Sequence, residues 1–307
     1  MNGFRSKRKR RGYVEFLYIL PFLLVVLVFS YYPLYGWIYS FFDYQPPLPF
    51  SWDSFVGLKW FKVLFKNKSF VNQTVEVLRN TFAMSGIALA FSWLPMIFAV
   101  FLNEIKNVPF RKFVQTVTTL PNFISWVLVY SVAFLLMSNN GMFNSVALDL
   151  GIIDIPVDFL KSNEHIWFKM WLWLTWKNLG WAAIMYIAAI SGIDAELFEA
   201  ARVDGASRMK IIRNITIPSI LPTFFVLLLL NISNILNNGM EQYFVFQNSW
   251  NREHIQVLDL YVYNLSTSKP PVYSVSTALS MLKSIVSLVL LFAANTFSKI
   301  VRKESII

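Results

Sequence analysis

Six long apolar stretches set the pattern of this chain, near residues 14–41, 81–103, 114–137, 166–190, 216–238 and 275–298. Each is long enough to cross about 30 Å of hydrocarbon, which takes about 20 helical residues. Their long unalternating runs exclude the strands of a membrane barrel. The pattern therefore predicts an all-α integral membrane protein with six transmembrane helices. Between the first two spans, Lys59, Lys62 and Lys66 fall on one helical face and Trp60, Phe61, Leu64 and Phe65 on the other. That arrangement suits a helix lying in the membrane interface, as a strut or as a docking element. The stretches 138–165 and 239–273 read as loops, the first carrying GMFN at 141–144 and the acids Asp149, Asp154 and Asp158, the second polar and aromatic with a turn, SKPP, at 268–271. Both are candidate seats for a soluble partner.

Two spans carry unusual side chains. The fourth holds Trp167, Trp171, Trp173, Trp176 and Trp181, which serve as an interfacial belt, as packing, or as flat surfaces for sugar rings. On the fifth, helical phase gathers Thr223, Asn231, Asn234, Asn238, Glu241 and Gln242 within an arc of about 100°. Amides do not face lipid, where their donors and acceptors go unsatisfied, so this face meets either neighbouring helices or a wet pathway. A helix end at Gly239 would remove Glu241 and Gln242 from it. Lys177 reads as the basic residue deepest within a span. A charge there costs about 2.5–3.5 kcal/mol on insertion scales, so it is expected to face a cavity or a partner.

Composition narrows the class further. With 56% hydrophobic and 14% charged residues, and a mean hydropathy of +0.51, the chain is not a pair of soluble domains. The net charge of +10 does not point to nucleic acid, because the basic residues follow the ends of the spans. Residues 1–13 hold Arg5, Lys7, Arg8, Lys9, Arg10 and Arg11, and the apolar run after them continues without a cleavage site. This predicts a basic cytoplasmic N-terminus and a retained first span. The proposed inside segments, 1–13, 104–112, 192–213 and 299–307, hold 16 of the 27 basic residues, whereas the longer outside segments 42–76, 138–165 and 239–273 hold 7. Both termini are thus expected in the cytoplasm, with 14–307 as a single transmembrane domain.

There is no cysteine, the two histidines are His165 and His254, and no glycine precedes a lysine. Disulfides, thiolate metal sites and a phosphate loop are excluded, and a histidine metal site is not expected. No cofactor is expected on this chain, and any nucleotide energy has to come from another one.

The stretch 194–218 is the charged interruption between the fourth and fifth spans. Asp194 is a plausible N-cap, Ala195 to Val203 favour helix, and Gly205 can take the positive φ that ends it. Leu197 and Phe198 offer apolar anchors, and the small Ala200 and Ala201 permit close approach, so this is either a prong for a partner or a plain connecting hairpin. Glu199, Ala200 and Ala201, three residues, Gly205, nine residues, then Ile215 and Pro218 reproduce the EAA motif. On this motif the chain resembles the permease subunits of binding-protein-dependent ABC importers, with Ile217 where the pattern has leucine. The stretches FVGLKWFKVLF at 55–65 with Asn80 and Thr81, LPNFISWVLV at 120–129, GMFN, GMEQ at 239–242 and LDLYVYNL at 258–265 are similar to the maltose-type family, in its polysaccharide or lipo-oligosaccharide branch.

The resemblance implies that Leu197, Phe198, Glu199, Ala200, Ala201, Asp204, Gly205, Ile215 and Pro218 belong to a coupling element that docks into a cytoplasmic ATPase. It implies two ATPase subunits holding ATP and Mg, a second homologous permease subunit, an extracytoplasmic sugar-binding protein, an oligosaccharide substrate and the bacterial plasma membrane as the setting. No catalytic residue is expected. Helical phase and composition nominate Asn231, Asn234, Asn238, Trp176 and Asn122 for the substrate pathway. A self-contained secondary transporter or channel is the rival, and it would carry proton-relay residues or inverted repeats inside its spans.

Overall fold

The computed structural model describes residues 2–270 and 272–302. Pro271 of the SKPP turn, the chain from 303 onward and the basic side chains of residues 5–11 lie outside what is described. The described chain is built of helices, with no strand beyond one isolated antiparallel bridge between Phe42 and Phe55. In order these are α1 (Asn2–Val26), α2 (Lys59–Lys66), α3 (Lys68–Ala90), α4 (Leu94–Asn103), α5 (Val108–Thr119), α6 (Trp126–Met137), α7 (Met142–Asp149), α8 (Ile166–Ser191), α9 (Ala195–Val203), α10 (Arg208–Ile211), α11 (Ile217–Ser233), α12 (Glu241–Phe246), α13 (Arg252–Ile255), α14 (Leu258–Thr267) and α15 (Tyr273–Arg302). Among the described residues five segments are long and apolar enough to span a membrane, and α8 with α9, bent by 70°, makes a sixth if that pair is taken as one span.

Two compact units divide the chain: one takes the residues up to Lys68 with Asn264–Leu282, the other Ser69–Tyr263 with the chain from Lys283 onward. In the first, α1 continues through a wider π-turn at Leu27–Tyr31 into a tighter turn over Tyr32–Phe41, and the most apolar window of Val14–Phe41 buries nothing within the chain. Phe42, 1% exposed, is enclosed by the rings of Phe50, Trp52 and Phe55 at 4.6, 5.3 and 5.2 Å. Its carbonyl accepts from the Trp60 indole and the Ser274 hydroxyl. Helix α2 keeps Lys59, Lys62 and Lys66 exposed and buries Leu64, but Phe65 is exposed rather than packed with it.

The described chain departs from the sequence pattern at four places. The second span begins at Lys68 rather than 81, and α3 gives way to α4 at Phe91–Trp93, where Pro95 opens the new helix. The run 114–137 is not one helix. It breaks at Leu120–Phe123, where Pro121 supplies no N–H, and restarts at Ser125, whose hydroxyl accepts from the Leu128 N–H. The spanning segment is instead Trp126–Asp149, α6 with α7, so GMFN lies at the start of a helix and not in a loop. Helix α11 ends at Ser233, five residues before the expected end.

The fourth departure is at 239–273, which holds the short helices α12, α13 and α14 rather than an open loop. Its Tyr243, Phe246, Ile255, Val257 and Leu260 are buried with Met84, Val129, Ala133, Ile166, Met170 and Trp173 in one core cluster. Apolar residues arriving in and between three short helices form no long run, yet burying them contributes as much per area as any span does.

Candidate functional site

The sequence nominates two regions, and helix α8 is common to both. Its neighbour α5 crosses it so closely that a Cβ on Gly180 would stand 2.4 Å from the Thr118 carbonyl carbon and oxygen. One turn earlier, Lys177 is 7% exposed and its ammonium donates to the carbonyls of Pro121, Asn122 and Ile124 at 3.0, 2.7 and 2.7 Å, with the Trp126 ring centroid 5.5 Å away. These are carbonyls at the break between α5 and α6, which a continuous helix would otherwise have engaged. An ammonium has three donors, and here all three are taken. Irregular backbone at membrane depth has to be satisfied by protein, and Lys177 does this for 121–124. Next to it the Asn122 amide donates to Asn178 Oδ1 at 2.8 Å.

Three adjoining clefts lie along α8, and Leu174 borders all of them. One of 390 Å³ is lined by Phe91, Trp171, Trp181, Tyr186, Asn178 and Asn231 among others. Phe91 and Trp171 meet there as tilted rings, 36° between planes and centroids 4.5 Å apart. A second, of 400 Å³, carries Trp126, Lys177, Asn178, Asn238, Glu241 and Gln242. The third, of 290 Å³, is lined by Ser85, Asn231, Asn234, Asn237, Asn238 and Tyr243. Flat aromatic faces beside amides are the surfaces that a sugar ring, apolar on its face and polar on its edge, can use.

The structure thus brings Asn231, Asn234 and Asn238 together, although not by the helical phase that nominated them. Asn231 is in α11, Asn234 is its C-cap and Asn238 lies beyond it, before Gly239 at φ 75. Among the described residues no hydrogen bond engages the Asn231 side-chain amide, and it is exposed. Asn234 donates to its own helix at the Leu230 carbonyl and accepts from Asn237. Asn238 donates to Ser85 Oγ at 2.8 Å, and that hydroxyl donates to the Ile235 carbonyl. Glu241 and Gln242 open α12; the Gln242 amide turns inward to the Met170 carbonyl.

Asn122 reaches this region through Asn178. Trp176 lines none of the three clefts: it is 43% exposed and meets Trp173 edge-on. The other tryptophans divide as well, with Trp171 and Trp173 buried, Trp167 donating to the His254 carbonyl and Trp181 half exposed into the first cleft. Phase alone did not reveal Lys283, whose ammonium pairs with Asp259. One charge does not interrupt an apolar run, so the run 275–298 read as plain span; the lysine at its ninth position was the available signal.

At its C-terminal end α8 turns by 70° into α9. Asp194 caps α9 by accepting the Glu196 N–H at 3.0 Å. After the C-cap at Asp204 comes Gly205 at φ 71, and paired bonds, Ala206 N–H to the Ala201 carbonyl and Gly205 N–H to the Arg202 carbonyl, close the helix. This is the Schellman arrangement, which requires a residue tolerant of positive φ at that place. Ser207 then caps α10, and a π-turn over Ile212–Thr216 holding Ile215 leads into α11 with Pro218 in its first turn. Leu197, Glu199 and Ala200 are exposed on α9, with Val203 88% exposed. Phe198 is half-buried and Glu199 stands beside it on a groove of 790 Å³ against Asn103–Lys106 and Arg111. Phe198 thus faces this groove rather than standing free of the hairpin as Leu197 does.

These features define a multi-pass helical membrane protein whose helices break around an internal polar and aromatic cleft and which presents one exposed, capped hairpin. The profile of the family described as binding-protein-dependent transport system inner membrane component matches residues 92–303, which include the hairpin and most of the cleft. Protein LplB of Bacillus subtilis (strain 168) is 35% identical over 92% of this chain and 88% of its own length. The polygalacturonan/rhamnogalacturonan transport system permease protein YteP of the same strain is 35% identical over 99% of this chain and 95% of its own. A chain in the crystal structure of a bacterial ABC transporter involved in the import of the acidic polysaccharide alginate is 30% identical, with a TM-score of 0.82 over 96% of this chain and 98% of that one. The chain belongs to the family of binding-protein-dependent transport system inner membrane components. It is an integral membrane transport permease and not an enzyme.

Proposed function

We propose that this chain is the permease half of an ATP-driven importer that passes an oligosaccharide or larger glycan across the membrane by alternating access. The observation that carries the reading is the position of α8, which borders all three clefts through Leu174 and turns directly into the exposed hairpin. Force on α9 is force on the rod that lines the cleft, and rigid-body movement of such an element is a common way of switching access. Aromatic rings and amides lining the cleft support a carbohydrate, as does similarity to relatives named for glycan transport.

In this reading two ATPase subunits, holding ATP and Mg, engage the hairpins of this chain and of a second homologous permease subunit, and a sugar-binding protein delivers substrate from the opposite side. This chain binds no cofactor. In the same reading, residues 14–307 form one transmembrane domain of six spans, α8 being the fourth along the chain, with both termini cytoplasmic. The high basic density of the segments around the hairpin supports that orientation.

Uptake of labelled oligosaccharide into vesicles carrying the complete complex tests the pathway. Asn231→Ala removes an unengaged amide from the cleft and is expected to raise the KM for uptake about three- to tenfold, the worth of one hydrogen bond, with assembly intact. Unchanged uptake kinetics in both Asn231→Ala and Asn238→Ala would remove the cleft from the pathway.

A further inference from the structure

We propose that Asp259 and Lys283 are positioning residues, an ionic latch that fixes the cleft-lining segment between α11 and α12. The inference rests on the reading of that cleft as the substrate pathway. From Asn234 to Met240 the backbone is non-helical, yet it carries Asn234, Asn237 and Asn238 on the cleft wall. Such a segment keeps one shape only if something outside it supplies the bonds that a helix would have made.

Asp259 supplies one of them. Its Oδ2 accepts the backbone N–H of Gly239 at 2.9 Å, while its Oδ1 takes the Lys283 ammonium, so one carboxylate joins the segment to α15. The Asp259 and Lys283 side chains are 20% and 15% exposed. Four residues further along α15, the Ser287 hydroxyl accepts from the Asn237 amide at 3.5 Å. Two successive turns of α15 thus reach the same short segment. Gly239 is held at φ 75 with open space where a Cβ would be, so it is the backbone conformation, not room, that makes it glycine.

Lys283 stands within the candidate span Tyr273–Lys299. A charge there is costly unless it is paired, and one found in a span is commonly tied to function. A plain ion pair would need only the two side chains. Here the carboxylate spends its second oxygen on the amide that begins the approach to Glu241 and α12. The latch therefore transmits any shift of α15 to the asparagines on the cleft wall.

The chain has no cysteine, and Leu236, at the middle of the segment, is 4% exposed, so Leu236→Cys reports opening of the segment. In the complete complex in lipid nanodiscs, maleimide labelling of that thiol is expected to speed up roughly tenfold with Asp259→Ala or Lys283→Met and to stay near its starting rate with Lys283→Arg. The exchanged pair, Asp259→Lys with Lys283→Asp, restores the attraction but leaves Gly239 without an acceptor. It is expected to recover thermal stability without recovering slow labelling. Labelling unchanged in both single variants, or slow labelling fully restored by the exchanged pair, overturns the latch. Faster labelling with a raised KM for uptake supports both the latch and the pathway; faster labelling with unchanged uptake kinetics leaves the latch standing and overturns the pathway.

Discussion

Two residues on one turn of α8 decide how α5 and α6 meet. Gly180 lets the Thr118 backbone come close, and Lys177 fills the hydrogen-bonding needs of the carbonyls just beyond it. Gly180→Ala would ordinarily favour a helix by about 1 kcal/mol, but a Cβ that meets backbone cannot be relieved by a rotamer change. The net effect is expected to be a loss of about 1–3 kcal/mol, read as a lower thermal midpoint of the purified complex. A midpoint that rises would show that α5 moves aside freely. Lys177→Met should cost about 1–3 kcal/mol by leaving carbonyls unpartnered, with Lys177→Arg recovering part of it. Equal stability of Lys177→Met and the parent would mean that water or lipid headgroups serve the break as well as the lysine does.

At the scale of elements, long apolar runs and caps were readable from the chain, because each depends on neighbours in sequence. Asp194, the helix from Ala195 and the positive φ of Gly205 follow from local chemistry alone. The breaks were not readable. The end of α5 is stabilised by a lysine more than fifty residues away, and the early end of α11 by Ser85, Asp259 and Ser287, none of which is near it in sequence. An asparagine pattern with helical phase pointed to residues that do line one cleft, but they share it because the helix stops, not because it continues. The N-cap gives a prediction at this scale. Asp194→Ala should destabilise α9 by about 0.5–2 kcal/mol and reduce the share of complex that retains its ATPase on purification; undiminished retention would assign docking to α10 or the π-turn instead.

For the whole molecule, a cleft that can accept a sugar and a hairpin that can accept a push are parts of one mechanism only if α8 connects them. A change in the hairpin is then expected to affect uptake and hydrolysis together, whereas a change in the cleft affects the affinity of uptake. The cargo was not legible, since the hairpin says nothing about it and the cleft is assembled from residues scattered over α3, α8, α11 and the segment that follows. The most direct measurement is ATP-driven uptake of labelled oligosaccharide by vesicles carrying the complete complex, with hydrolysis followed in the same sample, for Gly205→Pro against the parent chain. Proline cannot take the positive φ at this position and removes the N–H that bonds the Arg202 carbonyl. The expected result is loss of uptake together with loss of substrate-stimulated hydrolysis or of the ATPase itself, while the permease remains folded. Normal uptake with normally coupled hydrolysis would contradict the account.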